Sequence, residues 1–193
     1  GVAAALLAER GELGLFEVDE FWLDGLVGQL RPRALLLCNL FRDQLDRYGE
    51  LETIAERWAV VAASPDVGRL VLNADDPLVA DLGREHDAVY FGVEDPGVAL
   101  PELQHASDAT HCRRCGAPYA YDAHYLGHLG IYRCEACGAR RPDPSIVARE
   151  VRLDGVRGAS FTLDLGGDAR RIELTLPGLY NVYNALAAAA RLS

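Results

Sequence analysis

The chain of 193 residues contains neither methionine nor lysine: all 19 of its basic residues are arginine. The missing lysine removes a phosphate-loop lysine, a Schiff base and a carbamylated lysine together, so this chain completes no mechanism that needs one. The missing methionine is read as the mark of a mature or excised piece. No apolar run reaches the roughly 18 residues a membrane span needs, and the start lacks the charged-then-apolar layout of a signal peptide. Basic charge is also scarce, 19 side chains against 29 acidic ones, for a net charge of −10. That balance argues against a protein whose main work is gripping nucleic acid or an anionic membrane surface. Half of the residues are apolar, too many for an intrinsically disordered chain. The length suits one domain with a real core, or one domain carrying a small insertion. The composition therefore predicts a soluble, cytoplasmic domain with no integral membrane segment and no nucleic-acid partner.

The first hundred residues alternate short apolar runs with longer amphipathic ones. Strands are expected at Gly14–Val18, Arg33–Asn39, Arg69–Asn73 and Ala88–Phe91. Helices are expected at Phe21–Leu30, Leu51–Ala63 and Pro77–His86. Strands separated by helices of this length imply right-handed βαβ units and a mainly parallel sheet, which binds ligands beyond the carboxyl ends of its strands. Glu17, Asn39 and Asn73 fall at those ends. Residues 101–144 differ in character and hold four of the five cysteines and four of the five histidines. After them, Ile146–Leu153, Ala159–Leu165 and Arg170–Leu176 are β-prone stretches separated by Asp154-Gly155 and Gly166-Gly167. These turns suit an antiparallel meander. A closing helix is expected from Tyr180 to Leu192.

Cys112-Arg-Arg-Cys115 and Cys134-Glu-Ala-Cys137 are two C-x-x-C pairs, each followed by glycine. Such turns aim two thiolates at one ion, and four soft ligands match the tetrahedral preference of zinc. Two disulfides or buried free thiols are the competing reading; a reducing cytoplasm disfavours the disulfides and the paired spacing disfavours chance. Four cysteines close the coordination shell, so the zinc is expected to be structural. His111, His124 and His128 are then ordinary loop residues, and Cys38 a small core residue. Between residues 104 and 145, five arginines face four acids, a net of +1, too weak a footprint for nucleic acid.

Four further segments carry polar groups. Asn39-Leu-Phe-Arg-Asp-Gln-Leu-Asp-Arg-Tyr-Gly49 follows a buried strand and gathers Arg42, Asp43, Gln44 and Asp46; a functional loop and a polar turn with a helix cap explain it equally well. Glu17-Val-Asp-Glu20 offers carboxylates that either hold magnesium beside a phosphate or cap the next helix. Asn73-Ala-Asp-Asp-Pro77 reads as a strand-to-helix turn with Asp76 as the cap and Pro77 in the first turn. Asn181 and Asn184, three apart on one face of a starting helix, could read a nucleobase edge through paired donors and acceptors.

Taken in order, these segments resemble the central domain of the Mur ligase family, which shows an acidic strand end, an N-L-x-x-D-H-L-D-like loop, N-A-D-D and a G-x-x-N-x-x-N-A helix. The four cysteines inserted among them are similar to the zinc ribbon of the MurT branch. The implied fold is α/β: a mainly parallel sheet with flanking helices, an inserted zinc ribbon and a C-terminal antiparallel meander. Residues 1–103 and 146–193 would form the ATP-binding-like domain and residues 104–145 the ribbon. The resemblance implies an ATP-dependent carbon–nitrogen ligase that activates the D-glutamate α-carboxyl of lipid II, or a related muropeptide precursor, as an acyl phosphate. Ammonia from a GatD-like glutaminase then gives D-isoglutamine, at the inner face of the membrane. It implies zinc on Cys112, Cys115, Cys134 and Cys137, adenine on Asn181 and Asn184, magnesium on Glu17, and catalytic roles for Asp43 and Arg42. Two departures stand out. Gln44 replaces the family's histidine, and no G-x-x-x-x-G-K-[ST] loop occurs, so the chain is expected to be an internal piece, inactive alone. A Mur-type or folylpolyglutamate-type amino-acid ligase and a non-enzymatic zinc-ribbon adaptor are the alternatives.

Overall fold

The computed structural model describes residues 2–8, 11–41, 51–102 and 108–190. The apolar runs of the first hundred residues become β1 (Ala34–Leu37), β2 (Arg69–Asn73) and β3 (Ala88–Val93). Two strands of an inserted hairpin follow, β4 (Ala120–Leu126) and β5 (Leu129–Arg133). The chain then returns through β6 (Ile146–Leu153), β7 (Ala159–Leu165) and β8 (Ala169–Leu174). Six of these strands form one sheet in the order β1-β2-β3-β6-β7-β8, while β4 and β5 form a separate two-stranded sheet. β1, β2, β3 and β6 run parallel; β6, β7 and β8 run antiparallel. The parallel half and the meander are thus one continuous sheet, joined by the register Phe91↔Ile146.

The period-2 alternation of strand side chains sorts the core into two faces. Leu70 and Leu72 of β2 point to the same side as Leu35 and Leu37 of β1. There they meet α2 (Leu23–Leu30), α3 (Leu51–Ala62) and α4 (Pro77–Ala80) through Val27, Ile54, Trp58, Val61 and Leu78. Val71, Phe91, Val93 and Phe161 point the other way, onto Val182, Tyr183 and Leu186 of α5 (Leu179–Ala190). Tyr125 and Leu129 of the hairpin bury themselves in that second core. The insertion therefore packs on the same apolar face as the closing helix.

Several expectations change. Gly14–Val18 forms no strand. Among the described residues no strand pairs on the outer side of β1, Leu13 and Leu15 are 70% and 74% exposed, and a strand without a partner ladder has no reason to persist. The helix after Pro77 stops at Ala80 and passes into a single 3-10 turn, Asp81–Gly83. A side chain at Gly83 would run into Tyr90, Leu72 and Ala88, so the backbone closes tightly on the sheet there. A short helix α1 (Val2–Ala8) that the sequence reading left unassigned opens the chain. The arrest of α2 was legible: Arg31, just before Pro32, takes a left-handed φ of 45° and closes the last turn on Val27.

Candidate functional site

The two C-x-x-C-Gly segments fold into matching knuckles. The Gly116 amide donates to the Cys112 carbonyl at 2.8 Å, and the Gly138 amide to the Cys134 carbonyl at 2.9 Å. Both glycines adopt left-handed φ values, 76° and 75°, which glycine takes without steric cost. The knuckles bring all four Sγ atoms within 4.8 Å of one another, the shortest separations being 3.4 Å for Cys115–Cys134 and 3.6 Å for Cys112–Cys137. A disulfide requires about 2.05 Å. A tetrahedron of Zn–S bonds has edges of about 3.8 Å, so the donor set fits one zinc ion. Burial opposes ionisation of Cys112, but the Arg114 amide, the Tyr119 hydroxyl and the Cys115 amide outweigh it and bring this thiol down to about 7. Cys38 lies apart, half-buried against the α5-side core, its thiol pushed up to about 11 by burial, as a core residue should be.

The Asn73-Ala-Asp-Asp76 turn is the second feature, and more of the molecule meets there than its sequence suggests. Asp76 caps α4, accepting from the amides of Leu78 and Val79. Its other oxygen accepts from the Leu40 amide at 2.8 Å and lies 3.2 Å from His128 Nε2. Asp75 is fully buried. Its carboxylate receives Arg141 Nε at 2.6 Å, the Val93 amide at 2.8 Å and the Tyr183 hydroxyl at 2.7 Å. Burial raises the Asp75 carboxyl above its ordinary range despite Arg141, Tyr183 and the Val93 amide. Burial and the nearby Asp75 charge hold the Tyr183 hydroxyl protonated, well above its usual range. One dipeptide thus ties the strand end of β1, the hairpin, the segment leaving the second knuckle and α5 together. Here the sequence reading is corrected: His128 is fully buried and ion-paired, not an ordinary loop residue.

Burial works to lower the His128 pKa, but Asp76 and Asp108 overcome it and raise it above the ordinary value. A histidine whose folded pKa is raised contributes stability that is complete below the unfolded value of about 6.5 and lost as pH rises through the folded one. Melting temperatures of the protein and of His128→Gln should therefore differ most near about pH 6 and converge at alkaline pH. A gap indifferent to pH would mean that His128 is neutral throughout.

The other expected site residues are placed unevenly. Asn73 is completely buried and donates to Asn39 Oδ1 at 2.6 Å, so it braces two strand ends instead of facing a ligand. Glu17 is exposed on irregular chain and not at a strand end. Asn181 and Asn184 do sit side by side at the start of α5: Asn184 Nδ2 donates to Asn181 Oδ1 at 3.4 Å, and Asn181 Nδ2 to the Pro177 carbonyl at 2.8 Å. Arg42, Asp43, Gln44 and Asp46 lie outside the described residues. Arg141 and Tyr183 were missed by the sequence reading, and nothing in their local spacing marks them.

Comparison with known proteins gives a consistent picture. Curated relatives include the MurT subunit of lipid II isoglutaminyl synthase (glutamine-hydrolysing) from Streptococcus pneumoniae strain R6, 30% identical over 98% of this chain and 43% of the relative. The Staphylococcus aureus strain COL subunit of the same name is 28% identical over 97% of this chain and 42% of its own. Among solved structures, a pseudomurein peptide ligase type C from Methanothermus fervidus superposes with a TM-score of 0.70 at 33% identity, covering 85% of this chain and 31% of that one. No family model matches. The chain spans less than half the length of these relatives.

Proposed function

This is a MurT-like Mur ligase chain, and from that premise we propose that it forms part of the ATP-dependent subunit that amidates the D-glutamate α-carboxyl of lipid II. The observation that carries this reading is the four-thiol cluster, set into a Mur-ligase-type sheet between β3 and β6 and lying within a match to MurT subunits along 98% of the chain. A carboxylate is a poor acyl donor; transfer of a phosphoryl group to it creates a leaving group, and ammonia then displaces phosphate at the carbonyl carbon. A GatD-like glutaminase would supply that ammonia, and the work would take place at the cytoplasmic face of the membrane. Among the described residues, no helix is long and apolar enough to cross that membrane.

Zinc, held by Cys112, Cys115, Cys134 and Cys137, has a structural role in this reading, because four thiolates leave it no open position. Asn181 and Asn184 would hold adenine through their adjoining carboxamides. Glu17 would give one carboxylate to magnesium, whose chemistry is to offset charge between phosphates and the incoming carboxylate. Apart from the four cysteines, the described residues bring no three histidine, cysteine or acidic side chains together for a metal. They do not build a magnesium site on their own. The proposed division is a ribbon at residues 104–145 inserted into an ATP-binding-like domain.

In the sequence Arg42 and Asp43 come a few residues after β1, and this architecture places ligands beyond the carboxyl ends of such strands. The deciding experiment assays ATP- and glutamine-dependent amidation of lipid II by the complete protein with its glutaminase. Asp43→Asn should lower the rate roughly 10–100-fold with a nearly unchanged melting temperature, the effect of a group that orients a metal shell or substrate. Activity and stability lost in proportion would reduce Asp43 to a brace. Addition of an amino acid in place of ammonia would overturn the amidation reading itself.

A further inference from the structure

The turn joining β4 to β5, Gly127-His128, reaches across to the carboxyl end of β1. His128 Nε2 lies 3.2 Å from the same Asp76 oxygen that accepts the Leu40 amide. The imidazole packs on Phe41, ring centroids 5.1 Å apart. Gly127 takes a left-handed φ of 55°, and a Cβ there would come within 3.1 Å of the Phe41 ring. The hairpin is held at this spot from both ends: the Tyr121 hydroxyl donates to the His128 carbonyl at 2.9 Å, and the Gly130 amide to the Asp75 carbonyl at 3.0 Å. His128 and Asp76 are both fully buried, and Leu40 nearly so. Water therefore screens this link little.

We propose that the inserted hairpin is a strut for the chain leaving β1, with His128 as a positioning residue that acts through Asp76 and Phe41 on the segment leading to Arg42 and Asp43. The role rests on the reading of that segment as part of the ligase site. Among the described residues, the chain leaving β1 is held by Asp76 through the Leu40 amide and by Asn73 through Asn39, and the hairpin adds His128 and Gly127 against Phe41. The hairpin reaches this spot from the α5-side face of the sheet, and a metal on the four thiols would keep its base from fraying.

The test uses His128→Phe in the complete protein with its glutaminase; the variant keeps a ring against Phe41 and removes the partner of Asp76. Two readouts are taken: amidation kinetics, and hydrogen exchange of peptides covering Leu40–Phe41 and Val182–Leu186. The expected result is about a tenfold loss of protection at Leu40–Phe41 with Val182–Leu186 unchanged, and a kcat lowered about tenfold at an unchanged KM for ATP. Unchanged protection at Leu40 overturns the strut. So does faster exchange with an intact kcat, and so does equal loss at both peptides, which would make the hairpin a general brace. Should His128→Phe fail to fold, Phe41→Leu leaves the ion pair in place and carries the same expectations. If the unaltered protein shows no amidation at all, the functional reading fails, and the exchange measurement still decides the strut.

Discussion

Replacing Arg141 with alanine is expected to lower the unfolding free energy by about 3–5 kcal/mol, the cost of stranding one member of a buried ion pair. Arg141 is 8% exposed and its partner Asp75 is fully buried, with Nε and Oδ1 2.6 Å apart. Without the guanidinium, Asp75 would keep two donors, the Val93 amide and the Tyr183 hydroxyl, but no countercharge among them. The carboxyl would take up a proton or draw in water, and either response loosens the joint between β3 and α5. Arg141 Nη2 also donates to the Val93 carbonyl at 3.1 Å, so a backbone acceptor is orphaned as well. Urea unfolding of the zinc-loaded protein measures the loss. Arg141→Met combined with Asp75→Asn should recover much of it, because removing both charges removes the uncompensated one. A loss below about 1 kcal/mol for Arg141→Ala, the scale of exposed pairs, would show that Asp75 is already neutral in the fold.

Stripping the metal should have a comparably large effect, and one that spreads beyond the knuckles. Purified protein should contain about one zinc per chain, and Cys134→Ser should lose it, since three thiolates no longer close the shell. Structural zinc sites carry apparent binding free energies of about 10–16 kcal/mol in small peptides, so the fold around the four cysteines is expected to depend on the ion. The Cys134 amide donates to the Ala139 carbonyl at 2.6 Å, and the Arg141 amide to the Tyr132 carbonyl at 3.0 Å. The second knuckle therefore positions the irregular segment that delivers Arg141 to Asp75. Loss of zinc is expected to lower the melting temperature of the whole sheet, with exchange protection falling at Val93 as well as at Cys134. Adding Arg141→Ala to the zinc-free protein should then cost less than it does in the zinc-loaded protein, because the two changes act on one joint. Protection at Val93 that survives chelation would instead make the ribbon an independent folding unit.

Local chemistry explains why some of this was legible beforehand. The knuckles are set by residues within six positions of each other, with a glycine where the backbone turns left-handed. Asp76 and Pro77 announce a helix start because a carboxylate that caps and a ring that needs no amide donor serve the same first turn. The bounds of Arg69–Asn73, Ile146–Leu153 and Ala159–Leu165 coincide with the observed strands. Their apolar or alternating runs and the flanking turn residues suit no other element. Gly14–Val18 shows where the same signal fails: alternation proposes a strand, but only a neighbouring ladder makes one. The proposed loop roles of Arg42 and Asp43 fall outside the described residues.

The amino-acid sequence by itself determined the elements of the α/β class, the four-cysteine cluster and the resemblance to Mur ligases, because each rests on spacings shorter than one secondary-structure element or on the order of motifs along the chain. Tertiary structure alone decided that β6 adds to β3, so that the parallel half and the meander share one sheet. It also decided that Asp75 meets Arg141 66 positions away and Tyr183 108 positions away, and that His128 reaches Asp76 and Phe41. A buried carboxylate takes its partners from whatever charges the packed elements bring within reach, and no periodicity along the chain encodes that choice.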